Sequence, residues 1–463
     1  MATPLQNRTQ DLPLGRPRAR PPGELRTNVN ASLNDGLGFS FMTGLGESYL
    51  PAFVLAVGLG EINSGLIGGV PLLFGALFQL LSPVLVQRFN SYRKSLVFFA
   101  GTQALLFLPL TWGAWNGSLS MLAVFAIASL YWGTGMAAGT VWNTLMGRLI
   151  PQLLRPRFLA ARTRLTYSGT MLSFLVFGLI LQTLSPRFGP GIFALLFLAA
   201  GIGRFYSTIH LARQSDYVPQ MVHTNVASVS EFLKLSADPH AKQWLAFVLA
   251  LKFGVYFSAP YFTPYMLQKL QLNYLQFTIL TMVAFFGKIA FLPRLANYAK
   301  RHGTKTIVWL GGFGVSLLPA FWIFLSSFWS LFLVQLLSGV VWAAFELAFS
   351  LFVLESIPGR YRMGVLSVFN VLQSILIVLG TVLGGLVLSS LDTSMSGYFW
   401  VFGISAGLRV LACLPLRGLP LSPVEVFTIW RSISVRPSGG GIFAPFFERL
   451  KGPDGKFPWR RRS

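Results

Sequence analysis

Four ionisable side chains lie inside long apolar stretches of this sequence. Asp35 and Glu47 fall in one stretch, Lys252 in a second and Glu346 in a third. A charged side chain at the centre of a membrane helix costs about 2.5–3.5 kcal/mol on insertion scales, so such residues usually face a water-filled space or a partner. Groups of this kind can exchange protons or bind a charged solute. We therefore predict that all four are substrate-binding or proton-coupling candidates.

Glu47 lies near the centre of its stretch, between Gly46 and Ser48. These small neighbours permit close helix packing or the entry of water. The carboxylate could exchange a proton or bind substrate; the alternative is a neutral carboxylic acid, or one hydrogen-bonded to a neighbouring helix. Glu346, in VVWAAFELAFSLF, is open to the same choice between function and a structural bond across the helices.

Asp35 comes twelve residues before Glu47, which is about 18 Å along a helix and about 120° around it, so the two cannot form one site directly. We expect Asp35 to make a structural bond to a helix end or a basic loop. Lys252 could pair with Glu47 or Glu346, or bind an anionic substrate. Basic residues nearer the ends of apolar stretches are expected to snorkel to the lipid headgroups, namely Arg204, Lys288 and Arg409.

The elements that must position these residues are membrane helices. The chain has 463 residues, of which 53% are hydrophobic and only 11% charged, too little charge for a soluble protein of this length. Runs of about 20 apolar residues suit helices, and continuous runs without strand-like alternation exclude a barrel. We predict an all-α membrane protein with twelve transmembrane helices, spans 1 to 12, near residues 31–58, 62–86, 95–115, 119–147, 165–184, 190–211, 244–268, 272–297, 306–327, 329–354, 365–390 and 397–416.

The basic residues predict how these spans face. Of the 37 Lys and Arg residues, Arg187 and Lys269 alone fall in the connections on one side, and those in the tails and other connections fall on the opposite side. Because basic loops stay in the cytoplasm, we expect both termini there, in a bacterial-type inner membrane. The net charge of +23 is thus a topology signal, and nucleic acid is not an expected partner.

The two halves of the chain resemble each other. Pro51 and Pro264 hold matching places in spans 1 and 7, and an Ile-Pro-x-x-x-Arg loop follows spans 4 and 10, at Ile150–Arg155 and Ile357–Arg362. These pairs favour a duplicated six-helix unit. The predicted domains are a disordered basic cytoplasmic tail (1–26), an N-terminal six-helix bundle (27–211), a central cytoplasmic loop (212–243), a C-terminal six-helix bundle (244–416) and a basic cytoplasmic tail (417–463).

With these features the chain resembles the major facilitator superfamily of secondary transporters over roughly residues 30–416. The family carries Gly-x-x-x-Asp-Arg-x-Gly after span 2, followed closely by more basic residues. Here the loop reads PVLVQRFNSYRK, with Pro83, Gln87 and Asn90 at the Gly, Asp and second Gly positions. Its basic positions match the family, and we take them as a cytoplasmic gating loop: Arg88, Arg93 and Lys94.

The resemblance implies two pseudo-symmetric six-helix bundles around a central cavity lined by spans 1, 4, 7 and 10, with alternating access about a site near the midplane. All four charged candidates lie on these spans. Aromatic and polar residues on the same spans could line the cavity, or could serve as interface belts or helix packing. These cavity-lining candidates are Trp132, Trp142, Asn143, Tyr256 and Trp342.

We therefore expect a secondary active transporter of a small solute, driven by a proton gradient or, alternatively, by sodium. A lipid or amphiphile flippase, or a substrate receptor on the same scaffold, is the alternative function. The sequence has no H-E-x-x-H, P-loop or G-x-S-x-G pattern and a single cysteine, Cys413. No enzyme activity, cofactor or metal site is expected. Membrane lipids are the other expected partners, and we expect a monomer.

Overall fold

The described chain is built from helices joined by short connections. The computed structural model describes residues 22–79, 82–151, 154–216, 232, 239–302, 304–356 and 362–418, and no strand occurs within these ranges. The helices are α1 (Pro22–Met42), α2 (Leu50–Ala56), α3 (Gly60–Leu66), α4 (Val70–Gln79), α5 (Ser82–Phe89), α6 (Tyr92–Leu105), α7 (Phe107–Trp115), α8 (Met121–Leu149), α9 (Arg155–Phe188), α10 (Ile192–Ala212), α11 (Pro239–Ser258), α12 (Tyr274–His302), α13 (Thr304–Phe324), α14 (Phe328–Ser356), α15 (Arg362–Ser390) and α16 (Met395–Ala412).

Ten segments of the described chain are helical, long and apolar enough to cross a membrane. One of them, Ala161–Ala212, comprises two helices, α9 and α10, joined by the 3-10 turn Gly189–Gly191. Helix α1, with its polar NVNASLND stretch, is not among the ten. The pattern is consistent with the twelve predicted spans, and the chain is an integral, multi-pass membrane protein.

Three helices begin earlier than the hydropathy pattern predicts. Helix α1 begins at Pro22, so residues 22–26 are helical and not part of a disordered tail. Helix α9 begins at Arg155 instead of near residue 165, and α11 begins at Pro239, inside the predicted central loop. Hydropathy marks only the lipid-embedded part of a helix, whereas proline in the first turn and arginine thereafter are both compatible with helix. Residues 1–21, 419–463 and most of the predicted loop, 217–231 and 233–238, lie outside the described residues.

The arginine of the first Ile-Pro-x-x-x-Arg loop closes the end of α8. Arg155 Nε donates a hydrogen bond to the Ile150 carbonyl at 2.8 Å, and Arg155 Nη2 donates to the Gly147 carbonyl. The last carbonyls of a helix have no partner within it, and a basic side chain can satisfy them. Most of the matching loop after span 10 (357–361) lies outside the described residues.

Spans 1 and 7 are interrupted helices. In span 1, α1 passes into the π-helical turn Thr43–Glu47 before α2 begins, with Pro51 in the first turn of α2. In span 7, α11 is followed by the 3-10 turn Ala259–Tyr261, by the short helical turn Phe262–Pro264 and then by the π-helical turn Tyr265–Lys269. Single π-helical turns inside α-helices are frequently found at functional sites.

Three clusters of buried apolar residues hold the helices together. One lies in the N-terminal half and includes Phe99 and Leu145; a second lies in the C-terminal half and includes Phe247 and Phe345. Both are near the end where the chain enters α1 and leaves α16, which we call the proximal end. The third cluster joins the two halves at the opposite, distal end and includes Tyr49, Phe53, Tyr261, Tyr265 and Tyr398. The halves therefore share a core distally and have separate cores proximally.

Candidate functional site

Glu47 is the last residue of the π-helical turn in span 1, and its side chain is half-buried. Its Oε2 atom accepts a hydrogen bond from Tyr131 Oη of α8, at 3.1 Å. Within the described part of the chain, no Lys, Arg or His forms an ion pair with this carboxylate. Spans 1 and 4, two of those expected to line a cavity, thus meet at Glu47.

The backbone around Glu47 is fixed by close packing. Ser48 N and Oγ both donate to the Thr43 carbonyl, at 3.2 and 3.0 Å, which closes the π-helical turn. Gly44 lies against α9 and Gly46 against the Phe107 ring of α7, and a Cβ at either glycine would overlap these neighbours. The small neighbours of Glu47 were expected to permit either close helix packing or the entry of water. At Gly46 the structure shows close helix packing.

Asp35 is fully buried in a hydrogen-bonded network between α1, α9 and α10. Arg162 Nη2 lies 2.6 Å from Asp35 Oδ2, and Ser207 Oγ donates to Asp35 Oδ1 at 2.7 Å. Arg162 Nε also donates to the Ser32 carbonyl at 3.1 Å. The structure thus gives Asp35 a structural ion pair with an arginine that sequence reasoning assigned to a basic loop.

The same network holds Arg204 and Trp142. Arg204 Nη1 donates to Ser207 Oγ at 2.9 Å, and the residue has no exposed surface. The Arg162 guanidinium lies 4.2 Å from the centroid of the Trp142 ring, a cation–π contact. Trp142 is 2% exposed and belongs to the N-terminal proximal cluster, where it packs against Arg162.

The snorkelling prediction is wrong for Arg204, Arg409 and Lys288. Arg409 is 3% exposed and donates to the carbonyls of Val315 and Val255, at 3.0 and 3.3 Å. Arg204 is buried as described above, and Lys288 forms an ion pair with Glu346. Their sequence positions predicted a short path to the headgroups, but each cation instead binds an acceptor within the bundle: a serine hydroxyl for Arg204, backbone carbonyls for Arg409 and a carboxylate for Lys288.

Lys252, Lys288 and Glu346 form one charged cluster in the C-terminal half. Lys288 Nζ of α12 lies 2.6 Å from Glu346 Oε1 of α14, and both side chains are mostly buried. Lys252 of α11 interacts electrostatically with both of them. Its ammonium lies 5.8 and 6.0 Å from the ring centroids of Trp342 and Phe345. The structure thus brings together two of the four charged candidates, Lys252 and Glu346, together with Trp342.

The other cavity-lining candidates lie around these two places. Trp132 is half-buried, with its ring 5.8 Å from that of Tyr131, the hydrogen-bond donor to Glu47. Tyr256 is half-buried and lies one helical turn after Lys252 on α11. Asn143 is exposed on α8.

The predicted gating loop joins α5 to α6. Asn90 takes a backbone φ of 46°, in the left-handed region that glycine and asparagine tolerate best, at the place where the family pattern has its second glycine. Ser91 Oγ donates to Asp216 Oδ2 at 2.6 Å, and Arg93 Nη1 donates to the Gln214 carbonyl at 3.1 Å. Arg88 is in the last turn of α5, and Lys94 is exposed at the start of α6. The loop is tied to the end of span 6 by Asp216.

Sequence reasoning missed a polar contact between the halves at the distal end. Lys269 Nζ, in the second π-helical turn, lies 2.8 Å from Glu61 Oε1 of α3. Tyr398 Oη of α16 donates to the other oxygen of Glu61. The sequence did hold a signal for this contact, since Lys269 is one of only two basic residues in the predicted distal connections. Glu61, however, stands next to a predicted span boundary, where a charge needs no partner.

A second distal contact lies deeper between the halves. Tyr49 Oη of span 1 is 2.8 Å from Thr278 Oγ1 of α12 and donates to the Phe174 carbonyl at 2.8 Å. Gly65 of α3 approaches the Tyr261 ring so closely that a Cβ at this position would overlap it. Backbone and side-chain contacts thus close the distal end between the two halves.

Comparison with known proteins identifies the relatives of this fold. The family model of the Major Facilitator Superfamily matches residues 245–453. A sequence comparison with curated proteins gives no significant match.

Several solved structures share the fold across both halves. The nucleoside transporter NupG superposes with a TM-score of 0.65 at 12% identity, covering 84% of this chain and 99% of that one. A D-xylose–proton symporter gives a TM-score of 0.62 at 16% identity, with coverage of 86% and 97%. A POT family transporter in complex with a thioalcohol-conjugated peptide gives a TM-score of 0.61 at 12% identity, with coverage of 84% and 94%. At these identities the likeness concerns the fold.

Proposed function

We propose that the chain is a secondary transporter of the major facilitator superfamily, whose family model matches residues 245–453, and that it moves a small solute by alternating access, coupled to protons through Glu47. The matching family model and the structural neighbours are those of transporters, which supports a transporter over an enzyme. The neighbouring structures include transporters of nucleosides, of xylose with a proton, and of a peptide conjugate. They support a small solute as the substrate here.

The observation that carries proton coupling is the contrast among the three carboxylates within the spans. Asp35 is neutralised by Arg162, and Glu346 by Lys288, each at 2.6 Å. Glu47 has a tyrosine hydroxyl as its hydrogen-bond partner and, within the described residues, no cation. A carboxylate matched by an adjacent cation stays ionised, whereas one without a cation gains most from binding a proton when it is enclosed.

Tyr131 suits a carboxyl group that changes its protonation. A phenol hydroxyl can donate a hydrogen bond to a carboxylate and accept one from a carboxylic acid. Tyr131 Oη can therefore stay bonded to Glu47 in both forms. A proton then binds Glu47 from one side of the membrane and leaves to the other when the bundles rock, so that solute movement and proton movement share one site. Sodium is the alternative coupling ion.

The moving parts in this proposal are the predicted bundles, 27–211 and 244–416, joined by the central loop 212–243. The shared distal cluster and the pair of Glu61 with Lys269 support a conformation closed at the distal end. With both termini in the cytoplasm, as the basic loops predict, the proximal end faces the cytoplasm and the distal closure faces outward. The protein acts as a monomer in a bacterial-type inner membrane, surrounded by lipid.

The test is solute accumulation in proteoliposomes containing the purified full-length chain. Vesicles are placed in a defined mixture of nucleosides, pentoses, amino acids and organic acids, a proton gradient is imposed, and the lumen is assayed by mass spectrometry. We expect one class of solute to accumulate above its external concentration, and to stop doing so when a protonophore collapses the gradient. Binding without accumulation would indicate a receptor, and lipid scrambling without solute uptake would indicate a flippase.

A further inference from the structure

Lys252 lies in the C-terminal half and takes no part in the proposed proton coupling. It lies in the middle of α11, half-buried, against the rings of Trp342 and Phe345. Among the described residues, no acceptor hydrogen-bonds to it and no carboxylate lies within 4.0 Å of it. A lysine at this depth is expected to have a counter-ion or to face water.

The carboxylate that acts on Lys252 is also bound by a second lysine. Glu346 is the carboxylate that acts on Lys252 electrostatically, but Glu346 Oε1 is already bound by Lys288 at 2.6 Å. Among these three side chains, two ammonium groups thus share one carboxylate. The aromatic contacts stabilise a cation, but they do not neutralise it. The cluster therefore attracts a further anion.

Tyr256 adds a second donor beside this ammonium. It lies four residues after Lys252 on the same helix, so the two side chains project from the same face. Its side chain is half-buried, and within the described chain its hydroxyl has no hydrogen-bond partner. An ammonium and a phenol hydroxyl side by side can bind the two oxygens of one acidic group.

We propose that Lys252 and Tyr256 bind the acidic group of the transported solute, which is an organic anion whose apolar body lies against Trp342. This inference rests on the proposed transport function and names its substrate class. The acid can be a carboxylate or a phosphonate-like group, since both present oxygens to an ammonium in the same way. Trp342 and Phe345 favour an aromatic or otherwise apolar body over a sugar-like one.

The experiment measures the thermal unfolding midpoint of the purified full-length protein with four probes of similar shape. Benzoate and phenylphosphonate carry the acid, benzamide is neutral and benzylamine is a cation. We expect one or both anions to raise the midpoint in a saturable manner, and the other two to leave it unchanged. The two anions separate a carboxylate site from a phosphonate site.

Three variants assign the effect. Lys252→Met should weaken the anion response about tenfold or more, the loss expected for a charge-assisted hydrogen bond. Lys252→Arg should retain it and shows that the fold tolerates change here. Lys242→Met, an exposed lysine on the same helix, is the matched control and should respond like the parent.

The inference is overturned if neither anion stabilises the parent protein, if benzamide stabilises it equally, or if Lys252→Met responds like the parent. Its failure is distinguishable from failure of the proposed function. Proton-driven accumulation of a neutral solute would retain the transporter and reject the anion site. Anion binding that depends on Lys252, without accumulation under a proton gradient, would retain the anion site and reject proton-driven transport.

Discussion

Lys269 Nζ lies 2.8 Å from Glu61 Oε1, and this ion pair links the end of span 7 to the start of span 2 across the two halves. Glu61 is in the first turn of α3, where the helix dipole favours an acid. Tyr398 binds the second carboxylate oxygen, so one carboxylate joins three helices at the distal end. In the proposed alternating-access cycle, opening at the distal end must break this pair.

Removal of the ion pair should favour the outward-open state. The side chains of Lys269 and Glu61 are 23% and 14% exposed, so Glu61→Gln should weaken distal closure by about 1–3 kcal/mol, between the values for exposed and buried pairs. Spin labels at Ser118 and Ser390, exposed positions at the distal ends of opposite halves, report the opening in a Cys413→Ser background. We expect longer distances than in the parent. Arg187→Gln, a distal charge without an ion pair in the described chain, should leave them unchanged.

Gly65 should be required for closure because the Tyr261 ring occupies the space that a side chain would need. Gly65→Val should keep the distal ends apart, lengthen the same label distance and slow exchange of solute. Gly407→Val is the control, since nothing lies within 4 Å of a Cβ at that position. Equal label distances in both variants would show that the distal contact is not a gate.

Asp35 should be structural. Asp35→Asn leaves the buried Arg162 without its carboxylate, and we expect a loss of about 3–5 kcal/mol in the free energy of unfolding. Asp392→Asn makes the same chemical change at an exposed turn and should cost less than about 0.5 kcal/mol. The measurement is unfolding in mixed detergent. A stable Asp35→Asn protein without proton-driven transport would instead place Asp35 in the coupling mechanism.

The pair of Lys288 and Glu346 can be tested by a double-mutant cycle. The single variants Glu346→Leu and Lys288→Met should each cost about 3–5 kcal/mol, because each leaves a buried charge without its partner. The double variant Lys288→Met with Glu346→Leu removes both charges and should recover most of that loss. Additive losses in the unfolding measurement would mean that the two residues contribute independently and not as an ion pair.

Much of the fold was predictable from sequence. Hydropathy and the basic loops predicted a helical membrane protein, and the solved structures that superpose on both halves confirm the fold. The matching prolines Pro51 and Pro264 also marked the two spans, 1 and 7, that π-helical turns interrupt. These features depend on composition and local spacing, which a single sequence displays directly.

The partners of the intramembrane charges were not predictable in the same way. Arg162 was counted as a loop residue because hydropathy began span 5 near residue 165, yet α9 begins at Arg155 and brings the Arg162 guanidinium to Asp35. Lys252 had two candidate partners by depth, but Lys288 lies closer to Glu346. Such pairings depend on the rotation and packing of helices far apart in sequence, about which local patterns carry no information.

Proton coupling through Glu47 is tested most directly by Glu47→Gln in proteoliposomes, with uphill accumulation and equilibrium exchange measured on the same preparation. Glutamine keeps the size of the side chain and a hydrogen bond to Tyr131, but it cannot release a proton. We expect exchange of solute across the membrane to persist, while accumulation under an imposed proton gradient is lost. A Glu47→Gln protein that accumulates solute at the parental rate, with the same pH dependence, would contradict the assignment and make this carboxylate a structural group.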